Sequence, residues 1–87
     1  MEVLLIPIEV VATFSRDGRI TPLRFRVILS DAGYETIMVD QISRRRRERS
    51  GKSFIDIYTC SGPVQEQIRM FELKYEISTG EWFLYRM

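Results

Sequence analysis

The sequence predicts an all-β fold, a small antiparallel barrel of five or six strands or a strongly twisted meander, and three observations carry that prediction. Apolar residues recur at every second position in several stretches, β-branched and aromatic side chains fill those stretches, and turn-forming residues separate them at the roughly 8 to 12 residue spacing of small β domains. Length then bounds the architecture. A chain of 87 residues fits a single domain, 1–87, because a chain of this size buries only about 60% of the surface it exposes when unfolded and has no material for a second core. With 45% hydrophobic residues, five Phe, four Tyr and one Trp, it has enough to pack one interior. So small a core leaves little margin of stability, which makes a homodimer a natural way to gain some.

The elements follow in chain order. In strand one Ile6, Ile8, Val10, Ala12 and Phe14 share a phase, and Pro7, without an amide donor, places its early part at a sheet edge or a bulge. Arg16-Asp17-Gly18-Arg19 supplies the Asp-Gly pair of a tight hairpin, so strand two, residues 20–29, lies antiparallel to strand one. Within it Leu23, Phe25, Val27 and Leu29 alternate with Arg24, Arg26 and Ile28. Ser30-Asp31-Ala32-Gly33 reads as a turn, and a third strand around Ile37 and Val39 runs into the arginine tract. After Ser50-Gly51-Lys52 a fourth strand, Phe54 to Cys60, leads to a turn at Ser61-Gly62-Pro63. Residues 64–70 read as strand, with a short helix beginning near Pro63 as the alternative. Phe71, Leu73, Tyr75 and Ile77 alternate with Glu72, Lys74 and Glu76, and Ser78-Thr79-Gly80-Glu81 turns the chain into Trp82-Phe83-Leu84-Tyr85, a closing hairpin.

Composition excludes several functions. Histidine is absent, which removes the commonest general base near neutral pH, and Cys60 has no histidine to activate it, so the chain reads as non-enzymatic. One cysteine forms no intrachain disulfide, and there is no cysteine and histidine set for zinc; no cofactor and no metal site is expected. Cys60 reads as a small buried hydrophobe, and Glu72 and Glu76, with Lys74 between them, read as a solvated face. Val3-Leu4-Leu5-Ile6 is too short for a signal-peptide core, and no apolar run approaches the roughly 20 residues of a membrane span, so the expected location is the cytoplasm, with no membrane role. Gly51-Lys52-Ser53 ends like a phosphate-binding loop, but that motif needs a glycine where Arg46 stands. Asp17-Gly18 resembles part of a calcium loop that lacks its remaining carboxylates.

Charge is where the chain is distinctive. Arg44, Arg45, Arg46, Arg47, Arg49 and Lys52, against Glu48 alone, give residues 44–52 a net charge of +5, which leaves the rest of the chain at −4. Guanidinium groups grip phosphates bidentately, so a loop presenting these residues would bind DNA or RNA largely without regard to sequence, with Arg24 and Arg26 on strand two extending the basic surface. A strand through the tract would instead send Arg44 and Arg46 one way and Arg45 and Arg47 the other. Tyr34, Tyr58, Tyr75, Trp82 and Tyr85 are the candidate platforms for stacked bases, although aromatic rings in small β domains chiefly serve packing. The bland alternative is a solvated arginine segment paired with the acidic remainder of the chain.

Ile6-Pro7-Ile8-Glu9-Val10, Asp17-Gly18-Arg19-Ile20 with Pro22-Leu23-Arg24-Phe25, Tyr58-Thr59-Cys60, and Thr79-Gly80-Glu81-Trp82-Phe83-Leu84 together resemble a family of short bacterial all-β proteins of unknown function. The likeness spans most of the chain and rests on turn and strand residues, so it implies a fold and no functional residue. Some similar proteins are associated with DNA-repair polymerases, which implies a nucleic-acid role; Val27 and Ile28 stand where that family usually has an aromatic. The leading expectation is thus a non-enzymatic module that contacts nucleic acid through its arginines. The alternative is a protein-interaction or assembly domain, a homodimer or adaptor, motivated by apolar residues on both faces of strand one: Val3, Leu5 and Val11 beside Ile6, Ile8 and Val10.

Overall fold

A computed structural model describes residues 1–31 and 33–87. Among the described residues it consists of seven strands: β1 (Val3–Phe14), β2 (Ile20–Ser30), β3 (Gly33–Met38), β4 (Gln41–Ser50), β5 (Ser53–Val64), β6 (Gln67–Glu76) and β7 (Glu81–Arg86). All belong to one antiparallel sheet in the order β3-β2-β1-β7-β6-β5-β4. The all-β antiparallel expectation therefore holds, while the number of strands is higher and the sheet is not a closed barrel.

The reason lies in strand direction. Six antiparallel steps lead from β3 across the sheet to β4, so these two strands run in the same sense. Only Val39 and Asp40 separate them, a link far too short for the crossover that parallel neighbours need. The chain instead passes from one edge of the sheet to the other through a two-residue kink, and what the sequence presents as one third strand becomes two. At the kink the Val39 amide donates to Leu23 O and the Asp40 amide to Ser61 O, both at 2.9 Å. The Ser61-Gly62-Pro63 turn is not formed: β5 runs straight through it, and Gly62 is there because Met38 O occupies the space that a Cβ would need. A glycine inside a strand marks this kind of close backbone approach.

The true β5–β6 turn is Gln65-Glu66, both at positive φ (50° and 69°), so residues 64–70 are turn and strand with no helix. Ala32, in the expected Ser30–Gly33 turn, lies outside the described residues. The Asp17-Gly18 hairpin forms as the sequence suggests: Gly18 has φ 88°, and the Asp17 carboxylate accepts hydrogen bonds from the Ser15 hydroxyl and the Arg19 amide. Those bonds hold the Asp17 carboxyl below its ordinary pKa.

β1 is bent like the β3–β4 segment. Its first half pairs with β7 and its second half with β2, and the irregularity the sequence attached to Pro7 falls between Val3 and Ile6, where Leu5 adopts φ 52°. With both long segments bent, the sheet coils around a core of Phe25, Val27, Ile37, Phe71, Leu73 and Leu84. Phe25 and Phe71 meet edge to face at 5.3 Å, worth about 0.5–1.5 kcal/mol beyond their burial.

Candidate functional site

The arginine tract is not a loop. Residues 41–50 form edge strand β4, held along β5 by a two-residue turn, Gly51-Lys52, in which Gly51 takes a positive φ of 60°. That turn pairs Ser50 with Ser53 and so fixes the register: Arg49 faces Phe54, Arg47 faces Asp56, Arg46 faces Ile57 and Arg45 faces Tyr58. Because side chains alternate across a strand, the tract is divided between two faces. An exposed edge strand tolerates such charge well, since charge on an edge also discourages pairing with other chains.

On the outer face Arg46 reaches Glu72, and the result is a buried charge cluster. Glu72 is only 5% exposed, against its reading as part of a solvated face. Its Oε2 accepts from Arg46 Nη1 at 3.2 Å and from the Thr59 hydroxyl at 2.9 Å, while Oε1 faces Arg86 Nε at 3.5 Å without hydrogen-bond geometry. Arg46 also donates to Glu48 at 3.1 Å, and these bonds, to Glu48 first and then Glu72, raise its pKa. The role of Arg46 is therefore structural. Arg44, next along this face, has no carboxylate partner among the described residues.

On the other face Arg45, Arg47 and Arg49 continue the side of the sheet that bears the core. Arg47 is held bidentately by Asp56 at 2.7 and 3.1 Å, which raises its pKa. The Arg45 guanidinium crosses the gap to β2, donating to Ile20 O at 2.6 Å, and lies 5.4 Å from the ring centre of Tyr58. Its partners among the described residues are all uncharged. Tyr58 beneath it is 3% exposed, and burial pushes its phenol up to about 12. Burial likewise pushes the Cys60 thiol up to about 12, in keeping with a packed cysteine.

β2 and β4 share no ladder, so a seam runs between them, spanned by Arg45. There Gly18, Arg19 and Ile20 form one lip of an open groove of about 260 Å3, Arg45, Arg46 and Arg47 form the other, and Asp56, Ile57 and Tyr58 complete its lining. With the Arg46 guanidinium turned to the outer face, three guanidinium-bearing residues, Arg19, Arg45 and Arg47, face one carboxylate, that of Asp56. Beyond the groove mouth Phe54 is 40% exposed, with the guanidinium carbons of Arg49 and Arg47 at 5.3 and 5.8 Å from its ring centre. Lys52 occupies the adjacent turn.

Arg24 and Arg26 do not join this group. They project from the outer face of β2, where Arg26 pairs with Glu9 at 2.5 Å and covers the Tyr34 ring at 4.7 Å. Of the candidate platforms, Tyr58 and Trp82 are buried and Tyr75 packs on Trp82 at 4.6 Å, while Tyr85 lies beneath Arg86 at 4.7 Å; Tyr34 alone is well exposed. Phe54 and Arg19 were not foreseen. Phe54 was within reach of the sequence, since counting outward from a two-residue Gly51-Lys52 turn sets it opposite Arg49. Arg19 was not, because its approach to β4 depends on how the sheet coils.

Among the described residues no group of three or more His, Cys, Asp and Glu is placed to hold a metal ion, and no helix is long and apolar enough to cross a membrane. A scan against protein-family models and searches of curated proteins and of solved structures find no match to this chain.

Proposed function

We propose that this protein is a nucleic-acid binding module whose site is the seam groove and the adjoining β4–β5 turn. The observation that carries the reading is the imbalance of charge in the groove, where Arg19, Arg45 and Arg47 face Asp56 alone. Arg45 at the lip, and Arg49 and Lys52 continuing the line, have no carboxylate partners among the described residues. Such an array suits a phosphate backbone, to which arginine donates in a planar fork. Binding is non-enzymatic and driven by counterion release, so it is steeply salt-dependent.

The test is fluorescence anisotropy with a labelled 20-nucleotide strand. With about three to four phosphates contacted, affinity for a single strand falls roughly 20- to 50-fold between 50 and 200 mM salt. A double variant, Arg49→Ala with Lys52→Ala, removes cations that pair with no carboxylate among the described residues, and it weakens binding about tenfold while leaving the circular dichroism spectrum unchanged. Absence of binding by the wild type at 50 mM salt removes the proposal.

A second reading, assembly with another copy, is favoured by one feature. The outer face of β1, β2 and β3 exposes Val11, Ile28, Tyr34 and Met38, each 45% or more accessible. Sedimentation distinguishes the two, since a strict monomer at high micromolar concentration leaves this face without a partner copy.

A further inference from the structure

We infer that the groove takes a single strand rather than a duplex and that Phe54 is the platform on which one of its bases stacks. This rests on the nucleic-acid reading above and adds a residue and a substrate class to it.

Three observations converge on Phe54. Phe54 is 40% exposed although Tyr58, further along the same face of β5, is buried. It stands on the same face as Arg47 and Arg49, directly opposite Arg49 in the ladder. The guanidinium groups near it lie more than 5 Å from the ring centre, and that of Arg49 has no carboxylate to hold it among the described residues. A base that slides onto the ring displaces the Arg49 guanidinium, which no carboxylate holds among the described residues, and the displaced cation turns to the phosphate of the same nucleotide. Ring and cation then act on one unit of the strand, the pairing of stacking and charge by which single strands are held.

The shape of the site argues against a duplex. A two-stranded ribbon enters a major groove only when it projects freely, whereas β5 is already paired with β6 from Ile55 onward, and the Ile77 amide donates to Phe54 O. Only the tip of the β4–β5 hairpin stands clear of the sheet. The groove behind it, about 260 Å3, is below the roughly 300 Å3 at which small-ligand pockets begin.

The experiment compares the full-length wild type with Phe54→Leu and Phe54→Trp, using a labelled oligothymidine 20-mer, a 20-base-pair duplex and inorganic polyphosphate as probes. Leucine keeps the apolar contact and loses the ring face, so the fold is retained; circular dichroism and the urea midpoint verify it. The expected result is single-strand binding at least tenfold tighter than duplex binding, weakened 5- to 100-fold by Phe54→Leu and restored by Phe54→Trp, with polyphosphate affinity unchanged across the three proteins. Equal loss of polyphosphate binding in Phe54→Leu overturns the stacking role, as does duplex binding equal to single-strand binding. In both cases binding itself survives, which leaves the broader proposal standing; if the wild type binds none of the probes, both fall together.

Discussion

The seam between the two edges of this sheet is closed at one end and open at the other, and the two ends use different chemistry. At the closed end backbone meets backbone: Asp40 N donates to Ser61 O, and Met38 O fills the space that a side chain at position 62 would occupy. At the open end β4 and β2 are joined by a side chain, Arg45, whose guanidinium spans to Ile20 O. A backbone contact demands the removal of a Cβ and leaves no room. A side-chain contact keeps the strands apart and lines the gap with whatever charge the spanning residue carries. The groove and its positive charge are thus two consequences of one choice of closure.

The closed end is the place to break the comparison most severely. Gly62→Ala drives a methyl group into a carbonyl that cannot retreat without unkinking Val39 and Asp40, and it costs about 3 kcal/mol, the upper range for overpacking, measured as a lower urea midpoint. Cys60, two residues away and 1% exposed, reports on the same end. Its thiol in the folded chain is raised from 9.0 to about 12, so the stability it contributes is fully present below about pH 9 and is lost as pH rises toward 12. The wild type resists a thiol reagent at pH 8 until it unfolds, whereas Gly62→Ala reacts measurably under the same conditions.

Next in size is the outer face of β4. Glu72→Ala leaves Arg46 and Arg86 facing each other without their shared carboxylate. Removing one partner of a fully buried pair costs about 3–5 kcal/mol, but the side chains of Arg46 and Arg86 remain 24% and 38% exposed, so water recovers part of the loss and about 2 kcal/mol is expected. If Glu72→Ala also weakens nucleic-acid binding more than tenfold, the separation of the two faces of β4 is wrong.

These residues show where the sequence was readable. The alternation in β2, the Asp17-Gly18 hairpin and the closing hairpin are local signals, and each is present in the structure. The sequence shows how a strand would divide the arginines between two faces; it does not show the choice of strand over loop, because nothing local announces that β5 offers Phe54–Ser61 as a partner. Gly62 misled for a related reason: Ser-Gly-Pro has the composition of a turn, while the need for glycine comes from Met38, distant in sequence. Glu72 was read as solvated because alternation identifies a face and says nothing of what covers it.

The β5–β6 turn, remote from the open end of the seam, gives a smaller effect of opposite sign. Two consecutive positive φ angles usually call for Asn-Gly, yet Gln65 and Glu66 occupy them. Each left-handed non-glycine residue costs roughly 1–2 kcal/mol, and glycine returns part of any gain through its larger unfolded-state entropy. Glu66→Gly is therefore expected to stabilise the protein by about 1 kcal/mol with binding unaltered, which separates stability from affinity.

The smallest change in stability belongs to Arg45, at the open end itself. A charged donor on a carbonyl is worth about 1.5–3 kcal/mol when sheltered from water, but this contact is exposed, and solvent replaces most of it, so Arg45→Ala should cost about 0.5 kcal/mol. Its effect on binding is the larger one, because the substitution removes the only cation in the groove that both spans the seam and lacks a carboxylate partner among the described residues. Arg45→Lys sharpens the point. An ammonium restores charge without the planar fork that reaches Ile20 O and a phosphate together, so this variant recovers the salt dependence of binding but only part of the affinity. A full recovery with lysine means that the groove reads charge alone, and the side-chain closure of the seam is then incidental to function.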